Sequence, residues 1–186
     1  MIRPEPQALS PAVFFDRDGT LMEEAHYCHR AKDVHAIPGA ATALQKLKAA
    51  GFKLVVLTNQ SGIGRGYFTE AEFHVVEAEL QRQLGGVLDR TYFCPAAPEA
   101  NDPRRKPSPA MAYEAAEDLG IDLSRSWMIG DRRIDLECGR RAGMRSILVM
   151  TGYGAAESQS ASGEIVVKDV CEAAEYILTA QSHVER

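Results

Sequence analysis

The sequence has no long apolar run, no excess of basic charge and no closely spaced cysteines, and each lack closes off a class of protein. Its longest apolar stretches, such as residues 54–57 and 147–150, are strand-sized. They fall far short of the ~20 residues needed to cross a bilayer, so no membrane partner is expected. The net charge is -5, with 21 basic against 26 acidic residues, which offers no footprint for an extended phosphate backbone. No nucleic-acid partner is expected. The four cysteines, Cys28, Cys94, Cys138 and Cys171, are scattered and read as reduced thiols rather than a disulfide framework. Residues 1–11 are polar and proline-broken, without the charged head, apolar run and small-residue cleavage site of a secretory leader. They read as a flexible start to a soluble, cytoplasmic protein. No internal repeat, low-complexity tract or linker divides the chain, so residues 1–186 are expected to form one domain, as a monomer, with a core that needs no disulfide.

What is present is an ordinary globular composition, 45% hydrophobic and 25% charged, arranged as short apolar runs alternating with segments of helical period. That alternation predicts an α/β fold, a Rossmann-like parallel sheet with helices on both faces. Strands are expected at 12–15, 53–58, 90–94, 127–129, 146–150 and 165–167. Helices are expected after Pro38-Gly39, from about Glu70 behind a Thr69/Glu72 capping box, after Ser108 with Pro109 in its first turn, after Asp131, and over 170–178. Three connections, 22–37, 59–68 and 95–107, are longer than such folds usually need, and long loops are where binding is usually built.

Sites in open α/β sheets lie beyond the carboxyl ends of the strands. The residues directly after the apolar runs are Asp16-Arg17-Asp18-Gly19-Thr20, Thr58-Asn59-Gln60-Ser61 and Gly130-Asp131. Asp16 and Asp18 are two apart, so an extended backbone sends both to one face, and Gly19 lets the chain turn away. Their mutual repulsion calls for a cation, and Asp131 brings a third hard oxygen donor suited to Mg²⁺. A carboxylate can attack phosphorus and divide a hydrolysis into two displacements, a role that fits Asp16. Asp18 is placed to protonate the leaving oxygen and then deprotonate water. A phosphate dianion entering a pocket with four aspartates, Asp135 included, needs positive charge and hydrogen-bond donors, which Thr58 and Lys106 can supply.

The order and content of these segments resemble the four motifs of haloacid dehalogenase-like (HAD) phosphatases. Residues 15–21 (Phe-Asp-Arg-Asp-Gly-Thr-Leu) are similar to the first motif, 57–61 to the second, Arg105-Lys106-Pro107 to the third and 130–135 (Gly-Asp-Arg-Arg-Ile-Asp) to the fourth. The resemblance implies a Mg²⁺-dependent phosphomonoesterase with Asp16 as nucleophile and Asp18 as acid/base. It implies Thr58 and Lys106 on the phosphoryl group, and Asn59, Gln60 and Ser61 beside it. Metal ligands would be Asp16, Asp131 and Asp18, the last through its backbone carbonyl, with Asp135 and Gly19 in support. Within the superfamily, residues 58–66 together with Arg105-Lys106-Pro107 most resemble D-glycero-D-manno-heptose 1,7-bisphosphate phosphatases and the related histidinol-phosphate phosphatases, which have a minimal cap or none. A sugar bisphosphate losing its 7-phosphate is the leading expectation, with histidinol phosphate or another small phosphorylated metabolite as alternatives. Arg105 would hold a second phosphate or another substrate group, and Glu24, Ala25, His26 and Tyr27 would border the sugar.

One departure concerns metal. Members of this subgroup commonly carry a Cys-x-His and Cys-x-Cys zinc loop ahead of the third motif, whereas residues 94–104 keep only Cys94. A tetrahedral site needs four ligands, so zinc is not expected, and Pro95, Pro98 and Pro103 can stiffen the loop instead. A metal site recruiting His26, Cys28, His29 or His35 to Cys94 stays open. A receiver-like phospho-acceptor domain would also gather acidic residues, a Thr and a Lys around Mg²⁺. It places its acceptor on a later strand, without an acid two residues on.

Overall fold

The computed structural model describes residues 8–160 and 163–184. The strands are β1 (Ala12–Phe15), β2 (Lys53–Asn59), β3 (Arg90–Cys94), β4 (Trp127–Gly130), β5 (Arg145–Val149) and β6 (Ile165–Val167). They form one wholly parallel sheet in the order β3-β2-β1-β4-β5-β6. The helices are α1 (Ala40–Ala49), α2 (Ser61–Gly64), α3 (Glu70–Gln83), α4 (Ala110–Leu119), α5 (Arg133–Arg141), α6 (Gly154–Glu157) and α7 (Val170–Val184).

The central strands are apolar throughout because helices cover both faces. Alternate residues feed two cores. Val13, Phe15, Leu54, Val56, Ile129 and Ile147 pack with Leu44 and Leu47 of α1, Val76 and Leu80 of α3 and Ile177 of α7. Ala12, Phe14, Val55, Leu57 and Met128 pack on the other face with Met111 and Ala115 of α4 and Cys138 of α5. Each fully buried side chain of this size contributes about 1.5–3 kcal/mol, so a one-residue slip of β1 would exchange its two faces and is strongly disfavoured.

Local chemistry sets the ends. Thr69 and Glu72 form the expected capping box, Thr69 N–H donating to Glu72 Oε2 at 2.7 Å and Glu72 N–H to Thr69 Oγ1 at 3.2 Å. Gly120, at φ 63°, closes α4. Helix α4 starts one residue later than expected: Pro109 occupies the cap, while the Ser108 hydroxyl accepts from Ala110 N–H at 3.3 Å. Strand β5 ends at Val149 rather than Met150, whose side chain has left the core and is 42% exposed. The connection after β2 winds into the single turn α2, closed by Arg65 N–H on Ser61 O at 3.0 Å. The flexibility expected of residues 1–11 does not reach Ser10 and Pro11. Ser10 N–H donates to Gly120 O at 2.9 Å and Pro11 O accepts from Lys53 N–H at 2.9 Å. Residues 1–7 lie outside the described residues.

Strand order reverses between β1 and β4, and the crevice at that point is where this topology places ligands. Between β1 and α1 the described chain forms one turn of 3₁₀ helix, Ala31–Asp33, and two isolated bridges, Asp18 with Met22 and Met22 with Ala36, so no cap domain is inserted there. Among the described residues, no helix is long and apolar enough to cross a membrane.

Candidate active site

Asp16 is the first residue past β1, and its N–H donates to Ile129 O of β4 at 2.9 Å, fixing it at the mouth of the crevice. Asp131 is the first residue past β4. Asp135 follows one helical turn later and aims back at the same point, its Oδ2 accepting from Arg132 N–H at 3.1 Å. This approach requires Gly130, where a Cβ would lie 2.3 Å from the Asp135 Cβ. Ligand oxygens of Asp16, Asp131 and Asp135 all fall within 4.8 Å of one another.

The buried Lys106 answers that negative charge. Its Nζ lies 2.6 Å from Asp16 Oδ1 and 2.7 Å from Asp135 Oδ1, and it donates to Leu57 O at 2.6 Å. Burial by itself would lower the lysine pKa, but Asp135 and Asp16 more than offset it, so the net shift is upward and the ammonium stays charged. Asn59 pins the lysine's backbone from both sides, accepting from Lys106 N–H at 3.0 Å and donating to Lys106 O at 3.1 Å. A lysine from a loop is thereby registered against the end of β2.

Burial is also the largest effect on the acids. It raises Asp16 well above an ordinary aspartate; Lys106 opposes the rise, and Asp135, Asp131 and Asp18 add to it. Burial carries Asp131 to about 7, with the Tyr153 N–H pulling it down and Asp135 pushing it further up. Asp131 Oδ2 accepts from that N–H at 2.8 Å, whereas the buried Oδ1 has no hydrogen-bond partner. A buried, unsatisfied carboxylate oxygen facing two further carboxylates is the setting for a hard cation with oxygen ligands. Gly19, at φ 82°, and Gly152 press against this group, for a Cβ on either would lie 2.3 or 2.2 Å from Asp131 Oδ2.

The remaining predicted residues divide. Asp18 lines the same cavity, of about 220 Å³, as Asp16, Thr58, Asn59, Gln60, Ser61 and Lys106. Its carboxylate lies outside the three-carboxylate group, so the third side chain there is Asp135's. Arg17 holds Asp18 through Nε to Oδ2 and Nη2 to Oδ1, both 3.0 Å, and Gln60 Nε2 bridges Asp18 Oδ2 and Thr58 Oγ1 at 2.9 Å each. Glu24, His26 and Tyr27 border the cavity, while Ala25 and Arg105 do not. The Arg105 guanidinium donates instead to Ala96 O at 3.1 Å. His26, Cys28, His29 and Cys94 do not gather into a metal-binding group; the group found among the described residues is the three aspartates.

Sequence reasoning gave no role to Arg17, Arg132 or Tyr153, all of which line the cavity. Tyr153 sits just past β5, so the strand-end rule that found Asp131 would have found it too. Arg17 carries the same signal, lying between Asp16 and Asp18 past the end of β1. It is wholly buried, with Glu77 Oε1 3.1 Å from Nη1 and its guanidinium 5.3 Å from the Phe73 ring centre.

The chain is similar to known proteins in sequence and in fold. Residues 13–76 fit the model for haloacid dehalogenase-like hydrolases and residues 103–173 that for HAD-hydrolase-like proteins. The chain is 38% identical over 188 residues to the D-glycero-D-manno-heptose-1,7-bisphosphate 7-phosphatase of Thermosynechococcus vestitus, covering 91% of this chain and 96% of that one. This chain belongs to the haloacid dehalogenase-like hydrolases. A second HAD relative, the D-glycero-beta-D-manno-heptose-1,7-bisphosphate 7-phosphatase of Haemophilus ducreyi, is 37% identical, with 89% of this chain and 97% of that one covered. Among solved structures, the D,D-heptose 1,7-bisphosphate phosphatase of B. bronchiseptica, complexed with magnesium and phosphate, superposes with a TM-score of 0.85 at 29% identity, over 91% of this chain and 99% of that one.

Proposed function

We propose that this chain is a Mg²⁺-dependent phosphomonoesterase that removes the 7-phosphate of D-glycero-D-manno-heptose 1,7-bisphosphate through an aspartyl-phosphate on Asp16. The observation that carries the chemistry is Asp16 itself, buried at the switch point, 2.6 Å from the Lys106 ammonium and grouped with two further carboxylates. The names of the relatives carry the substrate.

Asp16 and Asp131, with the Asp18 backbone carbonyl, would hold Mg²⁺, whose bound charge would offset that of the phosphate and make its phosphorus more electrophilic. An Asp16 carboxylate oxygen attacks phosphorus, and the phosphorus–oxygen bond to the sugar breaks. Lys106 and the Thr58 hydroxyl hold the equatorial oxygens, a fixed arrangement that needs no reorganisation as charge shifts. Asp18 gives its proton to the leaving sugar oxygen, then takes one from the water that attacks the aspartyl-phosphate. That water's oxygen ends in inorganic phosphate and the Asp16 carboxylate is restored. Arg17 and Gln60 keep Asp18 beside the site between these transfers.

The test is phosphate release from heptose 1,7-bisphosphate, histidinol phosphate and nucleotides, with and without Mg²⁺, by the natural protein and by Asp16→Asn. The heptose bisphosphate is expected to give the highest kcat/KM, with activity dependent on Mg²⁺ and abolished in Asp16→Asn. Preference for histidinol phosphate would replace the substrate, and near-normal turnover by Asp16→Asn would remove the mechanism.

A further inference from the structure

The proposed substrate brings a second phosphate, and the cavity contains few cations able to meet it. Two of its basic groups are already committed: Lys106 to Asp16 and Asp135, and Arg17 to Asp18 and Glu77. Arg105, the cation the sequence singles out for a second phosphate, lies on the Ala96 carbonyl and outside the cavity lining. Arg132 differs from all three. It lines the cavity, its side chain is exposed, and among the described residues its guanidinium pairs with no carboxylate. The guanidinium rests over the Tyr153 ring, 4.9 Å from its centre. Tyr153 is itself fixed at the other end, where its N–H binds Asp131 Oδ2 at 2.8 Å. Its hydroxyl lies 3.5 Å from His26 Nδ1 across the mouth.

We infer that Arg132, seated on the Tyr153 ring, is the docking cation for the phosphate that is not attacked. An arginine with its fork free and its guanidinium held over an aromatic face is pre-ordered for two parallel hydrogen bonds to a phosphate. Because Tyr153 also grips Asp131, the ring sets the cation at a fixed offset from the reacting centre. The anion bound there is one joined to the attacked group through the sugar, and the inference rests on the substrate reading above.

The measured quantity is the ratio of kcat/KM for heptose 1,7-bisphosphate to that for heptose 7-phosphate, which lacks the second phosphate. Arg132→Met is expected to lower this ratio about tenfold, mainly through KM, the size expected when a charge-assisted pair is lost. Arg132→Lys, which keeps the charge but not the fork, is expected to recover part of the loss, and Tyr153→Leu to lower the ratio less than Arg132→Met does. A ratio in Arg132→Met within about threefold of the natural protein's, or equal losses on both substrates, would overturn the inference while leaving the substrate reading intact. A natural protein inactive on the bisphosphate would overturn both.

Discussion

Replacing Asp131 by asparagine removes a buried charge without removing the acceptor that Tyr153 N–H uses, and its effect on stability has a sign that depends on pH. The Asp131 carboxyl sits at about 7 in the fold against an ordinary 3.8, chiefly because burial penalises its charged form. Between those values the folded protein keeps a proton that the unfolded chain has released. A raised acid pKa of this kind makes the metal-free protein lose stability as pH rises from about 4 to 7. The gap is worth roughly 4 kcal/mol at 1.36 kcal/mol per tenfold. Asparagine has no such titration, and its amide hydrogens face the Asp16 and Asp135 oxygens of the same group. In urea unfolding with EDTA, Asp131→Asn is therefore expected to exceed the natural protein by about 2–4 kcal/mol at pH 8 and to converge with it near pH 4.5. Adding Mg²⁺ at pH 8 is expected to stabilise the natural protein and to do little for the variant. A natural protein more stable than Asp131→Asn at pH 8 in EDTA, or a gap unchanged by pH, would refute the reasoning.

Lys106→Met leaves Asp16 and Asp135 buried without their counter-cation. It is expected to cost about 3–5 kcal/mol and on the order of 10 °C in thermal melting, with activity lost; a melt within a degree or two of the natural protein's would contradict the pairing. Gly19→Ala would place a Cβ 2.3 Å from Asp131 Oδ2 at a φ of 82°. It is expected to destabilise by more than ~1 kcal/mol and to weaken Mg²⁺ binding in calorimetric titration, the metal ligand being displaced with the strain.

The fold was legible because apolar runs and turn residues agree. Val13 and Phe15 alternate with Ala12 and Phe14 toward two cores, and Thr69 with Glu72 caps α3 as its spacing predicts. The strand-end rule reached Asp16, Thr58 and Asp131, whose places follow from topology alone. Lys106 follows no strand end; the need for positive charge beside a phosphate named it and the family resemblance gave it a motif, while its position depends on hydrogen bonds with Asn59, 47 residues away. The direction of Asp18 was not legible. Period-two spacing aligns it with Asp16, but β1 already ends at Phe15, and Arg17 with Gln60 holds the carboxylate. Arg105 was assigned a second phosphate through the family resemblance alone, and the carbonyl of Ala96 that its guanidinium meets has no signature in the sequence.

Nucleophilic attack by Asp16 is tested most directly by trapping its product. Asp18→Asn, which on this mechanism would slow hydrolysis of the intermediate, would be mixed with substrate and Mg²⁺, quenched in acid and mapped by peptide mass spectrometry. The prediction is a phosphoryl adduct on Asp16, absent from a parallel Asp16→Asn sample. Phosphate found on another residue, or released at an undiminished rate with Asp16 replaced, would contradict it.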